Sequence, residues 1–375
     1  MYQYTDFDRQ FVKLRAAQHR DQLERWQKGQ LSDEEFRPLR LQNGWYVQRY
    51  APMLRVAVPY GEISAKQLSV LATIAKDFDQ PEETVFAKAQ AQQDLLPGKS
   101  PKLIKGYGHF TTRQNLQLRG LLLEDMAPLM EAMESVGLTS RQSGHDNPRN
   151  ITGNPLAGID PEELVDTRPL VEAIQQRLLA ADAPRNLPRK FNIAVGGAPD
   201  SFLLHNDLAF LPADHNGELG FTVMVGGFFS AQRNELAIPL GLWLRADQLA
   251  NYSLATLRHF ERCGNRQARN KSRLMYLVDE LGFDGYREAV LEEFTALGGE
   301  AAPHNGEHHV NRAPRAALGV NLQKQEGLSW VGLSVPVGRL DAASMAELAA
   351  LARRYGSGEL RFTEAQNVLI VNVPA

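Results

Sequence analysis

Cysteine is almost missing from this chain: of 375 residues, only Cys263 carries a thiol. One thiol excludes an internal disulfide, and it excludes any multi-cysteine zinc or iron-sulfur centre built from these residues alone. Charge of one sign is missing too, since 41 basic residues face 44 acidic ones for a formal net charge of -3. That balance gives no basis for a nucleic-acid or membrane partner, while leaving room for local basic patches. No apolar run approaches the roughly 20 residues a bilayer span needs, and the opening MYQYTDFDRQFVKLRAAQHRDQLERW has no cleavable apolar core. A cytoplasmic location is expected. Nor is there a GxGxxG, so a dinucleotide fold is not indicated. Apolar content of 43% and charged content of 23% are ordinary globular values, and the length is enough for about two to three domains.

What the chain does have is a repeat. LRVAVPYGEISAKQLSVLATIAKDF at 54–78 is answered by VGLSVPVGRLDAASMAELAALARRY at 331–355. Val58, Pro59 and Gly61 fall on Val335, Pro336 and Gly338 at one offset, 335 minus 58, or 277. The same offset puts Ile63 on Leu340, Leu68 on Met345, Leu71 on Leu348 and Ala75 on Ala352. Each copy then reaches a related strand, GHFTTRQNLQLRG and GELRFTEAQNVLIVNV, with Arg113 of the first replaced by Ala365 in the second. A spacing this long is not that of a solenoid. It implies two copies of one supersecondary unit packed as halves of a common domain.

The rest of the pattern divides the chain as follows. Residues 1–43 read as an exposed N-terminal helical arm with a capping pattern at Ser32 and Glu35. Residues 44–125 form the first half-domain, with an insertion at 79–105 that the second copy replaces by GSG. An α/β domain is expected over 126–298, with strands at KFNIAVGG and GFTVMVGGFF and helices near 169–181, 246–263, 270–282 and 284–297. A linker at 299–315 leads into the second half-domain at 316–375. The fold class is α+β, two half-domains bracketing an α/β middle.

Four cations stand at strand edges or in polar loops: Arg55, Arg113, Arg149 and Lys190. Guanidinium groups grip carboxylates and small anions in a plane, and lysine adds a point charge and a proton. Four such groups converging would make a strong anion site; taken singly, each is more commonly an ion-paired surface residue. The glycine pairs Gly196-Gly197 and Gly226-Gly227 read either as tight turns or as anion-binding amides. His304, His308 and His309 read as a solvated loop rather than a metal cluster. Arg266, Arg269, Lys271 and Arg273 read as a charged helix face or as a site for a carboxylate-rich cofactor. Cys263 reads as a small hydrophobe.

In order along the chain, MLRVAVPYG, GHFTTRQNLQLRG, DNPRNITGNPLAGID, LPRKFNIAVGG, GNRQARNKSRLMYLVDELG and GVNLQKQEGLSWVGLSVPVGRL with GSGELRFTEAQNV resemble the nitrite and sulfite reductase hemoprotein family. The resemblance is closest to its ferredoxin-dependent nitrite reductases and runs from about residue 36 to the end. It implies ferredoxin-like half-domains, a siroheme with a coupled [4Fe-4S] cluster, and reduction of nitrite to ammonia with ferredoxin or another electron donor. It further implies that Arg55, Arg149 and Lys190 are the substrate-side cations, that Arg113 and Gln117 hold the macrocycle, and that Asn265 and Arg266 are siroheme contacts. The family's sulfite reductases place a second lysine two residues after the first. Asn192 stands there in this chain, and a dianion gains more from an extra cation than a monoanion does, so nitrite is favoured over sulfite. In the family the cluster cysteines lie beyond the second repeat. They are not among these residues, so that part is expected either to be lost or to be encoded in a separate cysteine-containing chain, which would then be a partner. Sulfite reduction, precorrin-3B synthesis and a non-catalytic tetrapyrrole-binding remnant are the alternatives.

Overall fold

The computed structural model describes residues 6–47, 52–79, 106–140, 143–180, 182–184, 186–231 and 233–375. The insertion expected at 79–105 lies, apart from Asp79, outside them. The chain forms two units, one running to His145 and taking in Leu318–Leu322 and Gly327–Ala375, the other Asp146–Ala317 with Gln323–Glu326.

In the first unit the repeat becomes two matching motifs. Tyr60 and Val337 take left-handed backbone with φ of 37° and 51°, and Gly61 and Gly338 follow at 80° and 67°. Each turn ends in a short strand, β3 (Glu62–Ser64) or β16 (Arg339–Asp341), and a helix, α3 (Ala65–Phe78) or α8 (Ala342–Tyr355). Ser64 caps α3 in a box with Gln67, and Asp341, its counterpart at the same offset, caps α8 by accepting from the Ser344 N–H at 2.7 Å. The two helices pack on one another and bury Leu68, Leu71, Ile74, Met345, Leu348 and Ala349 in a single core.

The sheets carry the duplication further. Strands β1 (Trp45–Tyr46), β2 (Met53–Val56), β5 (Leu116–Arg119) and β4 (Tyr107–Phe110) lie in that order, and β16 of the second copy completes the sheet beside β4. In return, β3 of the first copy pairs with β17 (Glu359–Phe362) in the sheet that also holds β14 (Gly319–Leu322), β15 (Leu328–Leu333) and β18 (Val368–Pro374). Each half therefore lends one strand to the other. Asn115 and Asn367 pin the corresponding turns, accepting from the Val58 and Val335 N–H groups at 3.1 and 3.0 Å. Since Asn115 is buried, Asn115→Ala leaves a buried donor without its acceptor and is expected to cost about 1–3 kcal/mol, read as a lower urea midpoint.

Two boundaries differ from those read in the sequence. The helices α1 (Asp6–Gln27) and α2 (Asp33–Gln42) are no exposed arm: Val12, Ala16, His19, Leu23 and Phe36 are buried, and α1 packs on α4 (Met126–Glu134). Helix α4 belongs to this unit as well, because Met126, Leu129, Met130 and Met133 sit in its core.

The second unit is built on a six-stranded mixed sheet: β13 (Ala302–Pro303), β12 (Ile238–Leu244), β9 (Glu218–Val225), β8 (Leu208–His215), β7 (Ile193–Val195) and β6 (Thr152–Gly153). β6, β7 and β8 run parallel, and the rest are antiparallel. α5 (Arg168–Leu179), α6 (Leu249–Cys263) and α7 (Leu274–Ala296) complete the unit, α7 being one run broken at Gly282, whose φ is 70°. Residues 299–315 are not a free linker. They form β13, and the His309 N–H donates to Pro212 O at 2.8 Å while Arg315 pairs with Asp160 and Asp200.

Candidate functional site

In the first unit the pleat places alternate residues of β2 and β5 on opposite faces. Leu54, Val56, Leu116 and Leu118 go into the core. On the opposite face, strand register sets Arg55 against Gln117, Gln117 against His109, and His109 against Arg339. With its amide oxygen towards Arg55, Gln117 accepts from Nε at 3.1 Å and from Nη2 at 3.0 Å. Arg55 Nη1 donates to Ser143 O at 2.7 Å, and Ser143 Oγ returns a bond to Arg55 O at 2.7 Å. The guanidinium also lies 5.2 Å from the Tyr46 ring centroid. Burial, opposed by Tyr46 and joined by the charge of Arg119, weakens the hold of Arg55 on its proton, yet an arginine remains a cation.

His109 is the imidazole of this row. Burial, then the charges of Arg119, Arg339 and Arg55, push its imidazole below the ordinary range. Gln366 Nε2 donates to Phe110 O at 2.7 Å and stands 3.1 Å from His109 Nε2, which places the ring proton on Nδ1. Arg113 sits in the adjoining turn, its N–H donating to Thr111 Oγ1 at 3.2 Å.

The second unit gathers another set. Pro148 and Phe191 form a parallel bridge, and the Arg149 N–H donates to Phe191 O at 2.8 Å, so Arg149 and Lys190 flank one backbone contact. Burial drops Lys190 from 10.5 to about 8, with Arg273, Arg149 and Arg189 adding to the fall and Asp207 opposing it. Asp207 is clamped by Arg273, Nε to Oδ1 at 3.0 Å and Nη2 to Oδ2 at 2.7 Å, and accepts from the Asn192 N–H at 2.8 Å. Arg189 and Arg269 share Asp146 at 3.4 and 2.9 Å.

The remaining sequence candidates serve the loops. Asn265 Oδ1 accepts from the N–H groups of Gln267 and Ala268 at 2.9 and 3.1 Å, and Arg266 Nη2 donates to the carbonyls of Asn186 and Glu261 at 2.6 and 2.8 Å. Arg266 and Arg269 lie in a loop and a 3-10 turn rather than on a helix face, and Arg273 is buried. The amides of Gly196, Gly197 and Gly226 are bonded to Phe210 O, Ser201 Oγ and Asp207 O, so the glycine pairs serve the fold as turns. His309 bonds Asp214 at 2.9 Å, and no cluster of His, Cys, Asp or Glu fit for a metal occurs among the described residues. His109, Arg119, Arg339, Arg189 and Asp207 escaped the sequence reading; for the first three, the signal was their shared parity on adjacent strands.

The face of guanidinium groups in the first unit fits a ligand that bears carboxylates, and so, taken by itself, does the cluster of cations around Lys190 in the second. Siroheme is such a ligand. Four thiolates are a different matter: Cys263, exposed at the end of α6, is the sole cysteine of the sequence, so these residues do not fit a [4Fe-4S] cluster.

These features define an α+β protein with a duplicated half-domain and clusters of cationic side chains, and comparison with known proteins gives it a family. Residues 144–296 match the nitrite and sulphite reductase 4Fe-4S domain, and residues 102–136 and 321–375 match the nitrite/sulfite reductase ferredoxin-like half domain. The ferredoxin–nitrite reductase of Synechococcus elongatus is 45% identical over 86% of this chain and 59% of its own length. The chloroplastic ferredoxin–nitrite reductase of Arabidopsis thaliana is 43% identical over 86% of this chain and 52% of its own. The solved structure of the Mycobacterium tuberculosis NirA protein superposes with a TM-score of 0.76 at 26% identity, covering 92% of this chain and 61% of that one. The chain belongs to the nitrite and sulfite reductase family, and it spans just over half the length of these curated relatives.

Proposed function

We propose that the chain binds siroheme and takes part in reducing nitrite to ammonia with ferredoxin as electron donor. The observation that carries this reading is Lys190, whose ammonium sits among Arg149, Arg189 and Arg273 and is lowered to about 8. At neutral pH such a group is charged enough to hold an anion and acidic enough to hand over a proton. The names and identity of the relatives supply the substrate and the donor. Bound siroheme would supply redox-active iron for that reduction. In the first unit Arg113 and Gln117, with His109 and Arg339, would hold carboxylates of siroheme and Arg55 would be a substrate-side cation; in the second, Arg149 and Lys190 would be substrate-side cations able to lend protons to nitrite. Thiolates for a cluster would come from outside these 375 residues.

Purification with siroheme, followed by nitrite and sulfite turnover with a chemical reductant, tests the reading. Expression with and without a neighbouring cysteine-containing reading frame, with iron and acid-labile sulfide measured, tests the source of the thiolates. A siroheme spectrum with ammonia formed from nitrite is expected; a pure protein that takes up no siroheme would defeat the proposal. Asn192→Lys adds a second cation two residues from Lys190 and is expected to raise sulfite turnover relative to nitrite by about tenfold, as a unit charge in a partly buried site would. An unchanged ratio would remove Asn192 from the selection of substrate.

A further inference from the structure

We propose that Asp207, clamped by Arg273, is a positioning residue for the segment Lys190 to Asn192: it fixes the backbone at Asn192 and sets the charge balance around the Lys190 ammonium. The inference deepens the reading of Lys190 given above and rests on it. The pair is deeply buried, Arg273 at 7% and Asp207 at 1% side-chain exposure. A buried ion pair is on its own a poor stabiliser, because desolvation offsets most of the attraction. This one is bidentate, and it spends a further acceptor bond on Asn192, the residue that opens the approach to β7. The Arg273 guanidinium also stacks on Phe228 at 4.7 Å, which fixes it in the plane Asp207 needs.

The charges bearing on Lys190 show what the pair is for. Arg273, Arg149 and Arg189 each disfavour its ammonium, and Asp207 favours it. Arg189 is in turn tied to Asp146, which also takes Arg269. Asp207 reaches one further titratable group, the buried Tyr286 phenol, which burial and then the Asp207 charge push upward. Without the carboxylate, three guanidinium groups would act on the lysine unopposed. With it, the ammonium stays charged near neutrality while remaining a ready acid.

The test titrates Lys190 directly in the full 375-residue chain, with no cofactor or nitrite present, by pulse acylation at a series of pH values read by mass spectrometry. In Asp207→Asn the midpoint is expected about one unit lower, which at pH 7 raises the reactive neutral fraction about fivefold; in Arg273→Gln it is expected about one unit higher. The double variant falls between them. A site that merely loosened would carry both single variants upward towards the ordinary lysine value of 10.5, so the downward shift in Asp207→Asn is the outcome a purely structural role would not give. Any pattern other than opposed shifts overturns the proposal. Because the measurement needs neither siroheme nor turnover, failure of the nitrite reading would leave these shifts in place, and their absence in a protein that reduces nitrite would overturn this inference alone.

Discussion

Arg361→Leu is expected to destabilise the first unit by about 3–5 kcal/mol at pH 7, because it removes the cation from a buried pair and leaves the carboxylate behind. Arg361 Nε donates to Glu359 Oε1 at 2.8 Å, and the side chains are 3% and 4% exposed. Strand register also sets Arg361 opposite the buried Glu62, at the seam where β3 meets β17. The pH dependence gives a sharper reading than the magnitude. Burial alone would raise the Glu359 carboxyl, and the charge of Arg361 outweighs it, so the folded value lies below the ordinary 4.5. A depressed carboxyl contributes stability that is present above its unfolded value and is lost as pH falls through its folded one. In the variant the largest charge that opposes burial is gone, so the Glu359 carboxyl titrates higher than in the wild type and the stability lost on acidification is smaller. Calorimetric midpoints of both proteins, followed from pH 7 to below 4.5, should fall less steeply in the variant, and parallel slopes would mean that Arg361 does not hold Glu359 charged.

The second large effect is on chemistry. Lys190→Met is expected to lower kcat/KM for nitrite by about 10²–10³-fold, the loss seen when one preorganised donor to a developing charge is removed. The wild-type rate should fall as pH rises through about 8, where the Lys190 ammonium is lost, and the variant should lack that limb. Lys190→Arg separates the two roles, since it keeps the charge at high pH and cannot readily release a proton. A variant that retains wild-type turnover and the same alkaline limb would remove Lys190 from the reaction.

Much of the first unit was legible because its signals are local. The Val-Pro-x-Gly motif and the stripe from Leu68 to Ala75 lie within a few residues, and the repeat shows each of them twice. The N-terminal stripe Val12, Ala16, His19 and Leu23 has helical spacing too, but charged neighbours on every side hid it. The middle sheet was harder. β8, LAFLPADH, is buried on both faces over its first six residues, so it shows no alternation, and Pro212 speaks against a central strand; in β12, Pro239 and Gly241 do the same. In the candidate site, the resemblance located the cations but not what governs them. Asp207 and Arg273 are 66 residues apart and meet only through the fold, and the row from Arg55 to Arg339 exists only once strand order is known.

The traded strands also set a timetable for synthesis. β4 ends at Phe110 and its neighbour β16 begins at Arg339, a gap of 339 minus 110, or 229 residues. At a ribosomal rate of about 5–20 residues per second, β4 waits roughly 10–45 s with an open edge, and β3 waits longer for β17. An unpaired edge held open for that long is a template for mispairing with other nascent chains. That edge is closed only when the second half emerges to supply β16.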